Sequence, residues 1–564
     1  MLINPAVTRP LSARAFFWAS AGITLGILGW ALYMSVSYTR IPLTASFYYL
    51  FTALDRPAAA VSFLILLAAV LIARPAWSRP VALWVSDHVR AIALLTAVAF
   101  SAGTLLVYQN HPLAMDEYAA YFQSQIFAAG HLSGQYPVAL IDSLIPLPFQ
   151  GFFLHVSHAT GAVVSGYWPA FALLLTPFTW LGVPWACNPI ISALTLLGIH
   201  RLALQLFEDR EAAGFAVLLT LASPVFFAEG ISYYSMPAHL LANTVYALLL
   251  LRPTPLKAFL AGLTGSIALT LHNPVPHVLF ALPWFLWIAR QANPGRLLLC
   301  LCAGYLPLSA LLGVGWYEFV SSLDAAGTIS AGGTHTLIER VADLLGSVFS
   351  LPDPVILYAR ALGLAKIWVW AVPGLMILAA AGAWKLRGDA RCRLFVASAI
   401  VTLLGYLLVP VDQGHGWGYR YFHSAWMVLP LMAAGVLTRA RTPAAAENHV
   451  ANDDLRALVT ACALLSLIIG VGYRAVQIHQ YMTDDLAGAP QFPGNQRQVI
   501  FIDPSGFYAT DLVQNDPWLR GNAIRMLSRG LNADADLMHA QFPKMQRVYD
   551  GPHGSVWADR ATPQ

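Results

Sequence analysis

The chain has 564 residues, of which 58% are hydrophobic and only 11% charged, with a net charge of +4. This composition, with apolar residues gathered in runs of roughly 16 to 23, excludes a soluble protein and fits a polytopic membrane protein. Basic residues stand beside the ends of the apolar runs without forming a patch, so nucleic acid is not expected as a partner.

The first apolar run, near 15 to 36, follows Arg9 and Arg14. It is too long for a signal-peptide core and reads as a first span with its N-terminus in the cytoplasm. Runs near 58 to 74 and 91 to 108 carry the chain in and out again, placing the loop 109 to 167 outside. Residues 168 to 182 are apolar for only about 15 positions, short for a hydrocarbon core of about 30 Å, and a half-buried or re-entrant helix is expected there. Further spans are expected near 186 to 206, 212 to 228, 237 to 251, 257 to 271, 275 to 289, 297 to 316, 361 to 383, 394 to 411, 423 to 438 and 457 to 474. Arg201, Arg210, Arg252, Lys257, Arg290, Arg296, Lys385, Arg387, Arg391, Arg393, Arg439 and Arg441 then fall on inner turns, as the preference of basic residues for the cytoplasmic side demands.

These runs make roughly 13 spans, an odd number that puts the C-terminus outside. In the tail, residues 498 to 504 read as a buried strand and turn, and 521 to 540 as a helix around Ile524, Leu527, Leu531 and Leu537. The expected fold is an α-helical polytopic membrane domain, residues 1 to 474 with outer loops 109–167 and 317–360. A small extracytoplasmic α/β domain, residues 475 to 564, follows it. All five cysteines lie in or beside apolar runs, so no disulfide framework is expected.

Polar residues concentrate on the outer face. The loop 109 to 167 opens on Met115-Asp116-Glu117-Tyr118; the turn 223 to 239 holds Tyr233, Tyr234 and His239; His272 and His277 flank Pro274; residues 412 to 423 read Asp-Gln-Gly-His-Gly-Trp-Gly-Tyr-Arg-Tyr-Phe-His. Aromatics at a membrane interface are ordinary anchors, but a carboxylate beside apolar Leu113 and Met115 is costly unless it is partnered or used. Asp116 is therefore the primary catalytic candidate. Glu117 stands between catalysis and capping the helix that follows. Arg420 is the one cation of its turn and a candidate for binding phosphate, set against an arginine that snorkels to headgroups. Carboxylates suit Mg²⁺ or Mn²⁺, yet no tight metal signature is present; no cofactor is certain and metal use is open.

Asp116-Glu117 at the head of the first large outer loop is followed by Ala128-Ala129-Gly130-His131-Leu132, Pro184-Trp185 leading into a span ending Leu206-Phe207-Glu208-Asp209-Arg210, Ser223-Pro224, and the late Gly-Tyr-Arg-Tyr turn. In this order the motifs resemble the GT-C superfamily of integral-membrane glycosyltransferases, over roughly residues 90 to 440. The branch with protein O-mannosyltransferases and the lipid A aminoarabinose transferase is the most similar. The resemblance implies a polyprenyl-phosphate-linked sugar donor and a site at the outer membrane face. It also implies a glycosyl-transfer role for the acidic residue of the first outer loop, here Asp116. Where metal-using relatives place acidic residues in the second outer turn, this chain has Tyr234-Ser235-Met236-Pro237.

The expected chemistry is transfer to an acceptor hydroxyl on a lipid, glycan or protein, with inversion and with Asp116 as general base. Arg420, with His272 or His415, is expected to stabilise the departing phosphate. Tyr118, Tyr121 and Trp417 are expected to stack on sugar faces, Tyr421 to line the site, and the loop with Gly332, Gly333 and Asp343 to cover it. A transporter of lipid-linked saccharides is the alternative. It calls for ionisable residues within the membrane, and the span centres read as nearly free of them. A structural or assembly protein that docks through its outer tail is a third reading, in which Asp116 and Arg420 would be dispensable. The expected location is a bacterial inner membrane.

Overall fold

The computed structural model describes residues 11–37, 45–325, 350–438, 449–491, 496–506 and 508–559. Arg9, Gly332, Gly333, Asp343, Arg439 and Arg441 lie outside the described residues.

The chain is mainly helical, and seven described helices are long and apolar enough to cross a membrane: Ala13–Ser37, Ser46–Ile72, Val89–Leu106, Pro184–Phe207, Pro294–Leu323, Ala390–Leu408 and Asp453–Leu486. An integral membrane protein follows from their composition. The helices Met236–Leu250, Pro255–Thr270, Val275–Ile288 and Val428–Thr438 coincide with other expected spans but are shorter, so the expected count of 13 is not reproduced by full-length helices.

Two expected spans are broken. Residues 212 to 228 form Arg210–Leu221 and Pro224–Gly230, bent by 64°. Pro224 has no N–H to donate and its ring crowds the preceding turn, so the first helix ends at Leu221 and a second starts at Pro224. Residues 361 to 383 divide into Pro354–Val369 and Leu375–Lys385. Gly374 at the break has φ +80°, a conformation that favours glycine.

The apolar segment after Tyr167 becomes Ala170–Trp180, 11 residues long. At 1.5 Å per residue it spans about 17 Å, too short for a straight crossing. It packs along Met115–Ala128, the helix that begins at the acidic pair.

Ionisable residues do occur inside the apolar helices, contrary to the sequence expectation. Asp55 accepts from Lys366 Nζ at 2.6 Å and from Arg474 at 2.8 Å, with all three side chains at most 2% exposed. Trp370 adds an indole N–H to Asp55 at 2.7 Å and lies under the Arg474 guanidinium. The pairing is what lets these charges escape a composition-based reading: each sits in an apolar run and is neutralised from helices far away in sequence.

The sheet-bearing layer is built from two parts of the chain. In the loop, β1 (Gly134–Gln135), β2 (Leu154–Val156) and β3 (Ala162–Ser165) form an antiparallel sheet in the order β1-β3-β2. In the tail, β4 (Gln498–Ile502), β5 (Ala523–Leu527), β6 (Met545–Gly551) and β7 (Gly554–Asp559) form a sheet in the order β5-β4-β7-β6, with β4 and β5 parallel. Strand β4 falls where the sequence expects it. The expected helix 521 to 540 is instead β5 followed by the helix Leu531–Gln541. Ile524 and Met526 are buried at a spacing of two, the strand period, and Gly530 separates them from the helical stretch. Phe122, Tyr136 and Val163 of the loop share one hydrophobic core with Val499, Phe501, Met526 and Trp557 of the tail.

Candidate active site

The helix Met115–Ala128 begins without a capping side chain of its own, because Ala114 precedes it. Glu117 reaches back instead. Its carboxylate accepts the N–H groups of Leu113 at 2.7 Å and Ala114 at 3.3 Å, Tyr233 N–H at 2.7 Å and the Tyr108 hydroxyl at 3.0 Å. It is fully buried. Burial pushes its carboxyl up to about 7 against those four donors. Of the two roles open in the sequence, this geometry is that of a cap, which also pins the turn at Tyr233 to the start of the helix.

Asp116 turns the other way. It is paired with Arg420 Nη1 at 2.9 Å, with 19% of its side chain exposed against 6% for the arginine. The Tyr167 hydroxyl donates to its other oxygen. Burial works against its charge, but the Arg420 guanidinium and the Tyr167 hydroxyl hold the carboxyl below the ordinary aspartate range. The acid is thus ionised, partly open and fixed from two sides.

Arg420 is held in turn by its own glycine-rich turn. Gln413 accepts the Arg420 backbone N–H at 2.9 Å, and the Gln413 carbonyl accepts from the guanidinium. The guanidinium lies 4.5 Å over the Tyr234 ring. A Cβ at Gly416, whose φ is +130°, would collide with the Arg420 side chain, so the turn needs glycine there. Arg420 Nε is buried and has no partner among the described residues. Burial opposes its charge, and Asp116 and Tyr234 outweigh that to raise it further.

His272 packs against Tyr167 with ring centroids 3.8 Å apart and the planes tilted by 35°. Burial lowers it to about 4, so it is a neutral imidazole at neutral pH. His415 contacts the Tyr234 hydroxyl through Nδ1 at 3.2 Å and is pushed down to about 3 by burial and by Arg420. Tyr421 stacks on Tyr406 at 4.3 Å and donates to the Asp412 carbonyl at 2.8 Å.

The remaining expected site residues are not gathered around Asp116. Tyr118 is buried, and its hydroxyl is engaged by Asn515 of the tail. Trp417 is fully buried and donates to Tyr108 at 3.1 Å. Tyr121 packs on Tyr233. A sugar-stacking face is not available on Tyr118 or Trp417 in this arrangement. Tyr167, Gln413 and Tyr234, by contrast, frame the site. Their signal in the sequence is no more than membership of the polar loop and turns between apolar runs.

The divalent cation that the carboxylates suggested does not fit this geometry. Asp116 is occupied by Arg420 and Tyr167, Glu117 by its four donors, and no three His, Cys, Asp or Glu side chains among the described residues converge as ligands.

No protein-family model matches the chain, and no curated protein matches it. Solved structures do. ArnT from Cupriavidus metallidurans bound to undecaprenyl phosphate matches with a TM-score of 0.51 at 12% identity, over 84% of this chain and 99% of that chain. Its apo state matches with a TM-score of 0.49 over the same shares, at 12% identity. An oligosaccharyltransferase from Archaeoglobus fulgidus, in complex with Zn and sulfate, gives a TM-score of 0.34 at 13% identity, over 71% of this chain and 54% of that chain. The likeness to ArnT extends over nearly the whole of that protein and is one of fold: the fold implied by the resemblance to the GT-C integral-membrane glycosyltransferases.

Proposed function

We propose that the chain is a glycosyltransferase that moves a sugar from a polyprenyl-phosphate donor to an acceptor hydroxyl at the extracytoplasmic face of a bacterial inner membrane. The observation that carries this reading is the Asp116–Arg420 pair, a charged couple left partly open in an otherwise closed interior. Its support is the fold shared with ArnT, a protein solved with undecaprenyl phosphate.

In this reading the acceptor O–H gives its proton to the Asp116 carboxylate while its oxygen forms the new bond to the anomeric carbon. The bond from that carbon to the phosphate oxygen breaks on the opposite side, its electron pair leaves on the phosphate, and the configuration inverts. A base must be ionised to act, and Arg420 and Tyr167 keep Asp116 so. Arg420 serves both ends, because its Nε–H is free to donate to the departing phosphate while Nη1 holds the carboxylate. His272 and His415 act as neutral hydrogen-bonding groups and add no charge.

Purified protein offered a panel of polyprenyl-phosphate-linked hexoses and pentoses is expected to release sugar from at least one. A second reading, transport of an intact lipid-linked saccharide, is favoured by Asp55, Lys366 and Arg474 within the apolar helices. It predicts movement of the donor across a vesicle membrane without sugar release, and that result would overturn the enzyme reading.

A further inference from the structure

The first turn of the Asp116 helix has orphan backbone donors, as every helix start does, and Ala114 cannot satisfy them. The donor directly before Asp116 is taken care of from the other end of the chain. Met115 N–H donates to Asp511 Oδ1 at 2.8 Å, across 396 residues of sequence. Around it, Gln514 Nε2 donates to the Pro112 carbonyl at 2.7 Å, and Asn515 N–H donates to the Tyr118 hydroxyl at 2.8 Å. The segment that does this is anchored firmly. Ala509, Leu512 and Val513 are buried against the tail sheet, and Asn515 exchanges two 2.8 Å hydrogen bonds with the Arg525 backbone on β5. Tyr508, at φ +59°, turns the chain so that Asp511 faces the helix.

We infer that Asp511 is a positioning residue for the proposed base: the C-terminal segment supplies the helix cap that holds Asp116 against Arg420. The inference rests on the reading of Asp116 as base. Met115 and Asp116 are the first two residues of the helix, so the backbone fixed by Asp511 is the backbone from which the Asp116 side chain departs. Without the cap the first turn frays, and the carboxylate loses its register with Arg420 and Tyr167. Small misplacements of a reacting group carry large losses of rate. Burial pushes the Asp511 carboxyl up to about 7, so at neutral pH its role is that of a hydrogen-bond acceptor more than of a fixed charge.

The test uses the full chain in lipid nanodiscs, with undecaprenyl-phosphate-linked sugars as donors and sugar release as readout. Asp511→Ala is expected to lower kcat roughly ten- to a hundredfold with KM for the donor changed less than about twofold. Asp511→Asn keeps an acceptor oxygen and is expected to restore most of kcat. On an Asp116→Asn background, Asp511→Ala is expected to add nothing further, because it acts through the missing carboxylate. Wild-type kcat in Asp511→Ala, or the same fractional loss in both backgrounds, would overturn the inference. Should Asp511→Ala fail to fold, Asp511→Glu displaces the acceptor by one methylene; wild-type turnover in that variant also overturns it.

Hydrogen exchange separates this inference from the reading beneath it. Faster exchange at Met115–Tyr118 amides in Asp511→Ala, with Asp453–Leu486 unchanged, supports the cap, and unchanged exchange at Met115–Tyr118 overturns it. If Asp116→Asn turns over like the wild type while those amides loosen, the base reading falls and the cap stands.

Discussion

Asp55 and Asp116 both pair with an arginine, and they differ in what surrounds the pair. Asp55 is closed off: 1% exposed, it accepts from Lys366, Arg474 and Trp370, and nothing can reach it. Asp116 has one arginine, one tyrosine and a side that is still 19% exposed. The same ion-pair chemistry therefore serves two purposes. At Asp55 it ties together three helices distant in sequence, and at Asp116 it holds an ionised acid ready at a surface. Openness, more than the pair itself, distinguishes a site from a clamp.

Breaking the closed pair is expected to have the largest effect. Asp55→Ala strands two cations in the interior and is expected to destabilise the protein by about 3–5 kcal/mol. Lys366→Met, which leaves Asp55 and Arg474 as a neutral couple, is expected to do less. Thermal unfolding in detergent, followed by near-ultraviolet circular dichroism, ranks the two; an equal loss would contradict the clamp.

Breaking the open pair is expected to spare the fold and stop the chemistry. Arg420→Gln is expected to lower kcat by about 10²–10³, the scale of losing one donor to a developing oxyanion. Sugar release measured on the folded fraction checks this.

Glu117 sharpens the contrast within the acidic pair. Glu117→Gln turns an NH₂ group towards backbone N–H donors and is expected to destabilise by about 1–3 kcal/mol, which a thermal melt reads directly.

Tyr167→Phe is expected to have the smallest effect, about 0.5–1.5 kcal/mol from one hydrogen bond, or less than about tenfold in kcat. Its pH signature is more specific. Asp116 is depressed in the folded protein, so the stability it contributes is present above the ordinary aspartate value of about 3.9 and is lost as pH falls below it. The phenylalanine variant is expected to move the acid limb of turnover upward. A limb unchanged by the substitution would remove Tyr167 from the account.

The sequence made Asp116 and Arg420 legible for a physical reason: each is a charge beside an apolar run, and such a charge needs a partner or a task. It did not show that each is the other's partner, because 304 residues separate them and neither turn encodes the contact. Asp55, Lys366 and Arg474 were invisible for the same reason, since a buried triad is made of residues that look like isolated exceptions in three apolar helices. Tyr118 and Trp417 read as sugar platforms in the sequence because aromatics beside apolar runs suit both stacking and packing. Their burial and hydrogen bonds to Asn515 and Tyr108 show packing. Most apolar helices were legible from composition, whereas the breaks at Ser223-Pro224 and near Gly374 were hidden inside apolar runs whose hydropathy does not dip. Strand β5 is not legible in the sequence because Ile524 and Leu527 also satisfy a helical spacing.

The most direct measurement sets the two carboxylates side by side. Asp116→Asn and Asp55→Asn are purified together, and sugar release from an undecaprenyl-phosphate-linked donor that the wild type uses is measured per folded molecule, with the unfolding midpoint of each. Asp116→Asn is expected to keep a midpoint near that of the wild type and lose about 10²–10⁴ in turnover, the range for a lost general base, while Asp55→Asn loses its midpoint first. Wild-type sugar release by a folded Asp116→Asn protein would contradict the account.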